Sequence, residues 1–102
     1  MISRRFVQKT VPQGKDERIA YYFDSEPWGG AVTPSGIVMT VTDSNGVDKT
    51  STTTSGVATV NGTVITLPLL HTLTAGELYR IDALFVCGGN TFEAFGFVQA
   101  EV

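Results

Sequence analysis

Apolar and polar residues alternate along several short stretches of the chain, which is the pattern of half-buried β-strands. In the stretch 37–42, every second residue is apolar and would lie on one face of an extended strand: Ile37, Met39 and Val41. The stretch 79–87 alternates in the same way and places five residues on one face: Tyr79, Ile81, Ala83, Phe85 and Cys87. A last strand is predicted over residues 91–102, after a turn at Gly88-Gly89-Asn90.

The first third of the chain is less regular. A weakly alternating strand is predicted over residues 4–11, with Phe6 as its apolar anchor, and a compact strand over residues 19–23. Residues 12–17 are expected to form a polar loop. The segment 24–36 is rich in Pro and Gly and predicts a long irregular connection. Its one large apolar residue, Trp28, is expected to pack back onto the core.

The middle of the chain contains the strongest turn signal. Asn61-Gly62 is flanked by β-branched residues on both sides, which predicts a two-residue hairpin turn between strands 57–60 and 63–67. Asp43-Ser44-Asn45-Gly46 predicts another tight turn. Residues 50–55 are all Ser or Thr and indicate either a polar edge strand or a mobile loop.

Composition supports the same fold class. Thr, Val and Ile account for 31 of the 102 residues, and such β-branched side chains favour strands. The elements add up to about seven strands in ~100 residues, the size of an immunoglobulin-like β-sandwich. The sequence therefore predicts an all-β protein in which residues 1–102 form a single sandwich domain.

Other features of the composition exclude several classes of protein. Apolar residues make up 42% and charged residues 17%, which is too apolar and too weakly charged for a disordered chain. No apolar run approaches the ~20 residues needed to cross a bilayer, and no apolar segment comes after the basic start, as it would in a secretion signal. The single Cys87 excludes an intrachain disulfide framework.

A short motif predicts a specific side-chain contact. Leu73, Gly76 and Tyr79 are spaced as in the tyrosine corner of immunoglobulin-like domains, where the Tyr hydroxyl bonds a backbone group a few residues upstream. The alternative is an ordinary core tyrosine.

The residues that usually carry catalysis are scarce. His71 is the only histidine and lies among leucines, which indicates a turn or interface residue. Cys87 comes after Phe85-Val86 and has no basic neighbour in the sequence, so it is expected to be a small buried apolar side chain. Asp43, Asn45 and Asp48 do not match a calcium loop. We therefore expect a protein that is not an enzyme and needs no cofactor or metal.

Charge is divided unevenly along the chain. Residues 1–18 contain five basic and two acidic side chains, a net +3, whereas residues 19–102 contain two basic and eight acidic side chains, a net −6. One interpretation is a solvated first strand. The other is an extended arm over residues 1–18 that docks on an acidic neighbour, with four interface residues: Arg4, Arg5, Phe6 and Lys9. The acidic balance disfavours nucleic acid as a partner.

Several of these features occur together in one known family. They are Arg5-Phe6 with Lys9 and Pro12, the run 21–24 with Trp28 shortly after it, the strand 37–42, a Thr-rich middle, the stretch 76–81, and a final strand after a Gly turn. The chain resembles the small immunoglobulin-like structural proteins of tailed bacteriophages, often labelled fiber-tail adaptor proteins. The resemblance implies a non-enzymatic role at the head–tail or tail–fiber junction of the virion and carries over no catalytic residue.

These inferences lead to one expected function and one alternative. The expected partners are other virion proteins and copies of the chain in a symmetric assembly, with no nucleic acid and no membrane. The protein would be made in the bacterial host cytoplasm and end in the virion. The alternative is a β-sandwich module that recognises carbohydrate or a protein receptor through its loops. In that case Tyr21, Tyr22 and Trp28 would form an exposed aromatic cluster.

Overall fold

The structure is a computed structural model, and it describes residues 10–101. The strands, numbered in chain order, are β1 (Val11–Gly14), β2 (Ile19–Asp24), β3 (Ser35–Thr42), β4 (Thr54–Ser55), β5 (Thr59–Asn61), β6 (Val64–Leu70), β7 (Leu78–Cys87) and β8 (Asn90–Glu101). Two four-residue helices lie between strands: α1 (Glu26–Gly29) and α2 (Thr50–Thr53). Neither described helix is long enough to cross a membrane.

The strands form two sheets that pack against each other, so the predicted all-β sandwich is confirmed. The first sheet has the order β1-β8-β7-β3. In the second sheet, β6 pairs with β2, β4 and β5. All these pairs are antiparallel except β1 with β8, which run parallel. Strand β1 therefore enters the fold along one edge of the first sheet, and β3 forms its other edge.

Alternation along the strands builds the core as the sequence predicted. All five inward residues of β7 are buried, from Tyr79 to Cys87. In β3, Met39 and Val41 are buried and Ile37 packs against the same core, whereas Val38 faces outward. The second sheet supplies its own inward apolar residues: Phe23, Ile65, Leu67 and Leu70. The two inner faces thus meet in one apolar layer.

Trp28 anchors the connection between β2 and β3, as predicted. It lies in α1, is partly buried, and packs between two core rings, with centroid distances of 5.9 Å to Phe23 and 6.2 Å to Phe85. The next residue, Gly29, is pressed against Cys87. A Cβ at Gly29 would lie 2.7 Å from the Cys87 Sγ atom, so only glycine lets the helix approach this closely.

The hairpin between β5 and β6 is confirmed, but its turn lies one residue later than predicted. Asn61 pairs with Val64, so the two turn residues are Gly62 and Thr63. Gly62 has a φ of 62°, whereas Thr63 has a negative φ. Positive φ at the first turn residue alone is the type II′ pattern, which requires Gly at that position. Asn61 belongs to the strand.

Two other local predictions are wrong. Residues 12–14 do not belong to a polar loop, because they continue β1 and pair with β8. Residues 50–53 form neither an edge strand nor a loop but the helix α2. The hydroxyls of Thr52 and Thr53 donate to the carbonyl of Lys49, and such local bonds let hydroxyl residues complete a single helical turn.

The predicted tyrosine corner is present. The Tyr79 hydroxyl accepts a hydrogen bond of 2.9 Å from the backbone N–H of Thr74, five residues upstream. Tyr79 itself is buried in β7, so the bond ties the loop before β7 to the core. The predicted turn at Asp43–Gly46 is also confirmed, since the Asp43 carboxylate accepts from the N–H groups of Asn45 and Val47.

Candidate functional site

The predicted interface residues Arg4, Arg5, Phe6 and Lys9 lie outside the described residues. Immediately after this segment, the chain enters β1 at Val11 and pairs in parallel with β8, starting at Val98. Residues 10–18 of the predicted arm are thus attached to the sandwich, and the arm hypothesis concerns residues 1–9.

The attachment point of this segment is fixed by a buried polar side chain, Gln13. It is only 1% exposed, and its amide nitrogen donates to the Leu70 carbonyl at 2.8 Å and to the Glu17 carbonyl at 3.0 Å. Its amide oxygen accepts from the Tyr21 hydroxyl at 2.7 Å. Leu70 and Tyr21 belong to the second sheet, so Gln13 ties the two sheets together where the N-terminal segment joins them.

Sequence reasoning did not find Gln13. Alternation around it is weak, and Gln is usually an exposed residue. A partial signal was present, because Gln13 comes after Val11 at the spacing of one strand face and precedes a Gly that can accept a tight turn. The Glu17 carboxylate closes that turn by accepting from the Gly14 N–H at 2.6 Å.

Charge remains divided on either side of this junction. Residues 1–9 contain three basic side chains and no acidic one. The described residues 10–101 contain the remaining four basic and all ten acidic side chains, a net −6. A segment of net +3 therefore leads directly into an acidic sandwich, and opposite charges favour contact between that segment and such a body.

The outer face of the first sheet carries an aromatic and charged cluster that sequence reasoning also missed. The Arg80 guanidinium lies 4.4 Å from the ring centroid of Phe95 and 5.9 Å from that of Phe97. The same guanidinium contacts the Asp82 carboxylate at 3.0 Å. On β8, Ala94, Gly96 and Val98 face inward, and the alternate residues Phe95 and Phe97 face outward.

Of the two residues considered for catalysis, Cys87 ends β7 and His71 directly follows β6. Cys87 is buried, and its Sγ lies 3.9 Å from the Val32 carbonyl oxygen. The His71 Nδ1 atom lies 2.6 Å from the Thr72 hydroxyl, and its Nε2 atom is buried without a hydrogen-bond partner. Within residues 10–101, no group of three His, Cys, Asp or Glu side chains is placed to hold a metal ion.

Tyr21, Tyr22 and Trp28 do not form the exposed cluster that the binding-module alternative requires. Tyr21 and Trp28 pack against the core. Tyr22 points to the opposite face of β2 and is 71% exposed. It lies beside Thr66 of β6, which in turn pairs with Thr59 of β5, so this outer face is polar around one aromatic ring.

Within residues 10–101, three ionisable groups have perturbed pKa values, and each has a local cause. Burial, reinforced by the nearby Glu17 carboxylate, raises the pKa of Tyr21 to about 12. The Thr63 hydroxyl and, to a smaller extent, the Glu26 N–H lower the pKa of Asp24. Hydrogen bonds from Thr50 lower the pKa of Asp48. Each shift follows from contacts within a turn or between neighbouring strands.

Comparisons with protein-family models, with curated proteins and with solved structures found no match to this chain.

Proposed function

We propose that the protein is a non-enzymatic structural component of a tailed-phage virion, an adaptor at the head–tail or tail–fiber junction. The observation that carries the proposal is the division of charge at the start of the sandwich. Residues 1–9, of net +3, precede a body of net −6 whose first strand, β1, lies at a sheet edge and is tied to the second sheet by Gln13. Such a segment is suited to bind an acidic neighbour in an assembly.

Two further features support this proposal. The family resemblance rests on residues spread over most of the chain, including Trp28 and the stretch 76–81. The strand order is compatible with the immunoglobulin-like arrangement that the resemblance implies, since β2 and β6 pair in one sheet and β3, β7 and β8 in the other. A packed sandwich of this kind is a rigid spacer between bound neighbours.

The proposal is tested by incorporation into particles. The triple variant Arg4→Gln, Arg5→Gln, Lys9→Gln should enter virions in fewer copies than the native chain, because the attraction to an acidic neighbour is lost. Its melting temperature should stay unchanged. A matched control removes three cations from the body instead: Lys15→Gln, Arg18→Gln and Lys49→Gln. That control should incorporate like the native chain.

Mass spectrometry of purified particles measures how many copies of each form of the chain a particle contains. A native chain absent from particles would overturn the virion role. Equal incorporation of the triple variant and the native chain would overturn the docking of the arm. Attraction between residues 1–9 and an acidic neighbouring surface should also weaken with salt, since the Debye length falls from about 10 Å at ~0.1 M to about 3 Å at ~1 M.

The alternative function, recognition of carbohydrate or a protein receptor, is favoured by one specific observation, the exposed Tyr22 ring beside Thr59 and Thr66. Aromatic rings flanked by hydroxyls provide contact area with little loss of conformational entropy. Binding of the native chain to glycans or to host-cell surfaces, abolished by Tyr22→Ala, would support this function. Equal binding by both forms would exclude Tyr22 as its site.

A further inference from the structure

Strand β3 forms an edge of the first sheet and is open to further pairing over part of its length. It spans eight residues, with no charged residue and no proline. Among the described residues, nothing pairs with its outer edge from Ser35 to Thr40. Beyond that point Thr42 bridges to Asp48 and the edge is covered. Natural sheets usually protect such edges with charges, proline, bulges or very short strands.

The other described edge strands are very short or combine two forms of that protection, whereas β3 has one register shift near its start. Strand β1 has four residues, one of which is Pro12. Strand β2 is irregular between Ala20 and Tyr22 and ends at Asp24. Strands β4 and β5 have only two and three residues. In β3 the one register shift lies near its start, and the pairing from Val38 to Thr42 is regular.

The backbone of β3 has hydrogen-bonding groups directed at this open side. The Val41 N–H donates to the Thr50 hydroxyl at 2.9 Å, and its carbonyl accepts from the Lys49 N–H at 2.8 Å, so both groups face away from β7. Backbone groups alternate along a strand, and those of Met39 therefore face the same side. Neither Met39 group has a partner among the described residues.

Apolar side chains border the open edge. Val38 points out of the first sheet and is 54% exposed, and its register partner Leu84 on β7 is 40% exposed. An added strand beside β3 would place its own outward side chains next to Val38. Apolar residues on that strand would extend the exposed strip, and removal of this area from water would favour the contact.

The distribution of charge favours a second copy of β3 as the strand added beside this edge. No charged residue occurs over the sixteen residues 27–42, and Asp43 comes directly after them. If two copies of β3 pair antiparallel, the acidic end of each strand lies against the uncharged start of the other. Like charges are thereby kept apart although each chain carries a net −3. A two-fold contact of this kind is self-complementary.

We propose that two copies of this chain associate by antiparallel pairing of their β3 edges, so that the two first sheets become one continuous sheet. This inference rests on the proposed function, because it names one contact between copies of the chain in the proposed assembly. It uses a surface at the opposite sheet edge from β1 and is independent of the docking segment.

Sedimentation equilibrium and amide hydrogen exchange on the purified full chain test this pairing. The native chain should shift from monomer to dimer as its concentration rises. The Met39 amide should exchange fast in the monomer and at least roughly tenfold more slowly in the dimer, because it gains a partner. A native chain that stays monomeric up to millimolar concentration would overturn the proposal, as would a dimer in which Met39 exchanges as fast as before.

A pair of variants locates the contact. Val38→Lys places a charge on each paired edge, so the dissociation constant should rise roughly tenfold or more. The side chain points outward, and the melting temperature of the monomer measures any effect on folding. The control Val57→Lys changes a valine that is 81% exposed and lies outside the strands, and it should dimerise like the native chain.

Failure of the edge contact and failure of the virion role give different results. Unimpaired dimerisation of Val38→Lys would overturn edge pairing while the native chain could still be counted in particles. Absence of the native chain from particles would overturn the virion role, even where the purified chain forms the dimer.

Discussion

Two parts of the sandwich interior are held together by different forces. Between β7, β3 and the second sheet, buried apolar side chains interlock, with Phe85 fully buried at the centre of several aromatic rings. Where β1 joins the fold, the buried side-chain amide of Gln13 makes three hydrogen bonds instead, and we call this place the polar junction. The first region depends on volume and shape, and the second depends on complete pairing of donors and acceptors.

The difference determines how each region responds to change. An apolar core tolerates substitutions that conserve volume, because its contacts have no direction. A buried polar network loses stability with any substitution that leaves a donor or acceptor unpaired, even when shape is preserved. The polar junction is also the place where the predicted docking segment begins. Directional bonds there fix the position of β1 at the edge of the first sheet.

The largest effect is expected in the apolar region. Phe85→Ala removes a fully buried ring that stacks on Phe92, with centroids 5.8 Å apart, and packs against Phe23 and Trp28. The free energy of unfolding should fall by about 3–5 kcal/mol, measured by chemical denaturation. The matched variant Phe95→Ala on the outer face should lower it by no more than about 2 kcal/mol. Equal losses would mean that the inner face is not the stabilising one.

The second prediction concerns the polar junction. Gln13→Met preserves approximate volume but leaves the Leu70 carbonyl and the Tyr21 hydroxyl without their partner. We expect a loss of about 2–3 kcal/mol in the free energy of unfolding.

A double-mutant cycle with Tyr21→Phe separates this effect from packing. Tyr21→Phe removes the hydroxyl that Gln13 would otherwise satisfy, so the double variant should be more stable than the sum of the two single losses predicts. Strict additivity would show that the bond between these side chains contributes nothing. A Gln13→Met variant as stable as the native protein would remove the distinction between the two regions.

The same contrast explains how much of the fold could be predicted from the sequence. The alternation in residues 79–87 and 37–42 reports burial directly, and those strands and their inward faces were predicted correctly. Gln13 could not be predicted, because its burial depends on the Leu70 carbonyl, which is 57 positions away in the chain. The helix at residues 50–53 was missed for a different, local reason. Its threonines bond to nearby carbonyls, and strand propensity does not take that into account.

The candidate interface could be predicted only in part. Charge counting identifies the basic start of the chain, but residues 1–9 lie outside the described structure and their role stays a prediction. The open part of the β3 edge could be identified only from the sheet order, which the succession of strands along the chain does not contain. Phe95 and Phe97 illustrate a further limit. Both faces of β8 carry aromatic residues, Phe92 inward and Phe95 and Phe97 outward, so the sequence alone does not show which face meets the core.

A smaller effect is expected at the hairpin, outside both regions. Gly62→Val should lower the free energy of unfolding by on the order of 1 kcal/mol, because a β-branched residue resists the observed φ of 62°. Asn61→Thr should change it by no more than about 0.5 kcal/mol, since Asn61 occupies a strand position paired with Val64. Thermal melting compares the two variants. A larger loss for Asn61→Thr would place the turn at Asn61-Gly62.

The last prediction uses pH to examine the polar junction without changing its shape. The folded protein raises the pKa of Tyr21 from 10.0 to about 12, chiefly by burial and then by the charge of Glu17. Below pH 10 the phenol is protonated in both the folded and unfolded states, and its contribution to stability is fully present. Between pH 10 and 12 the unfolded chain loses this proton while the folded chain keeps it, so stability falls as pH rises. The bond from Tyr21 to the Gln13 amide oxygen depends on the same proton. The free energy of unfolding should therefore fall more steeply across this window in the native protein than in Tyr21→Phe, whereas Phe85→Leu in the apolar region should keep the native slope. Parallel curves for the native protein and Tyr21→Phe would show that Tyr21 titrates alike in both states and that the junction does not hold its hydroxyl as described.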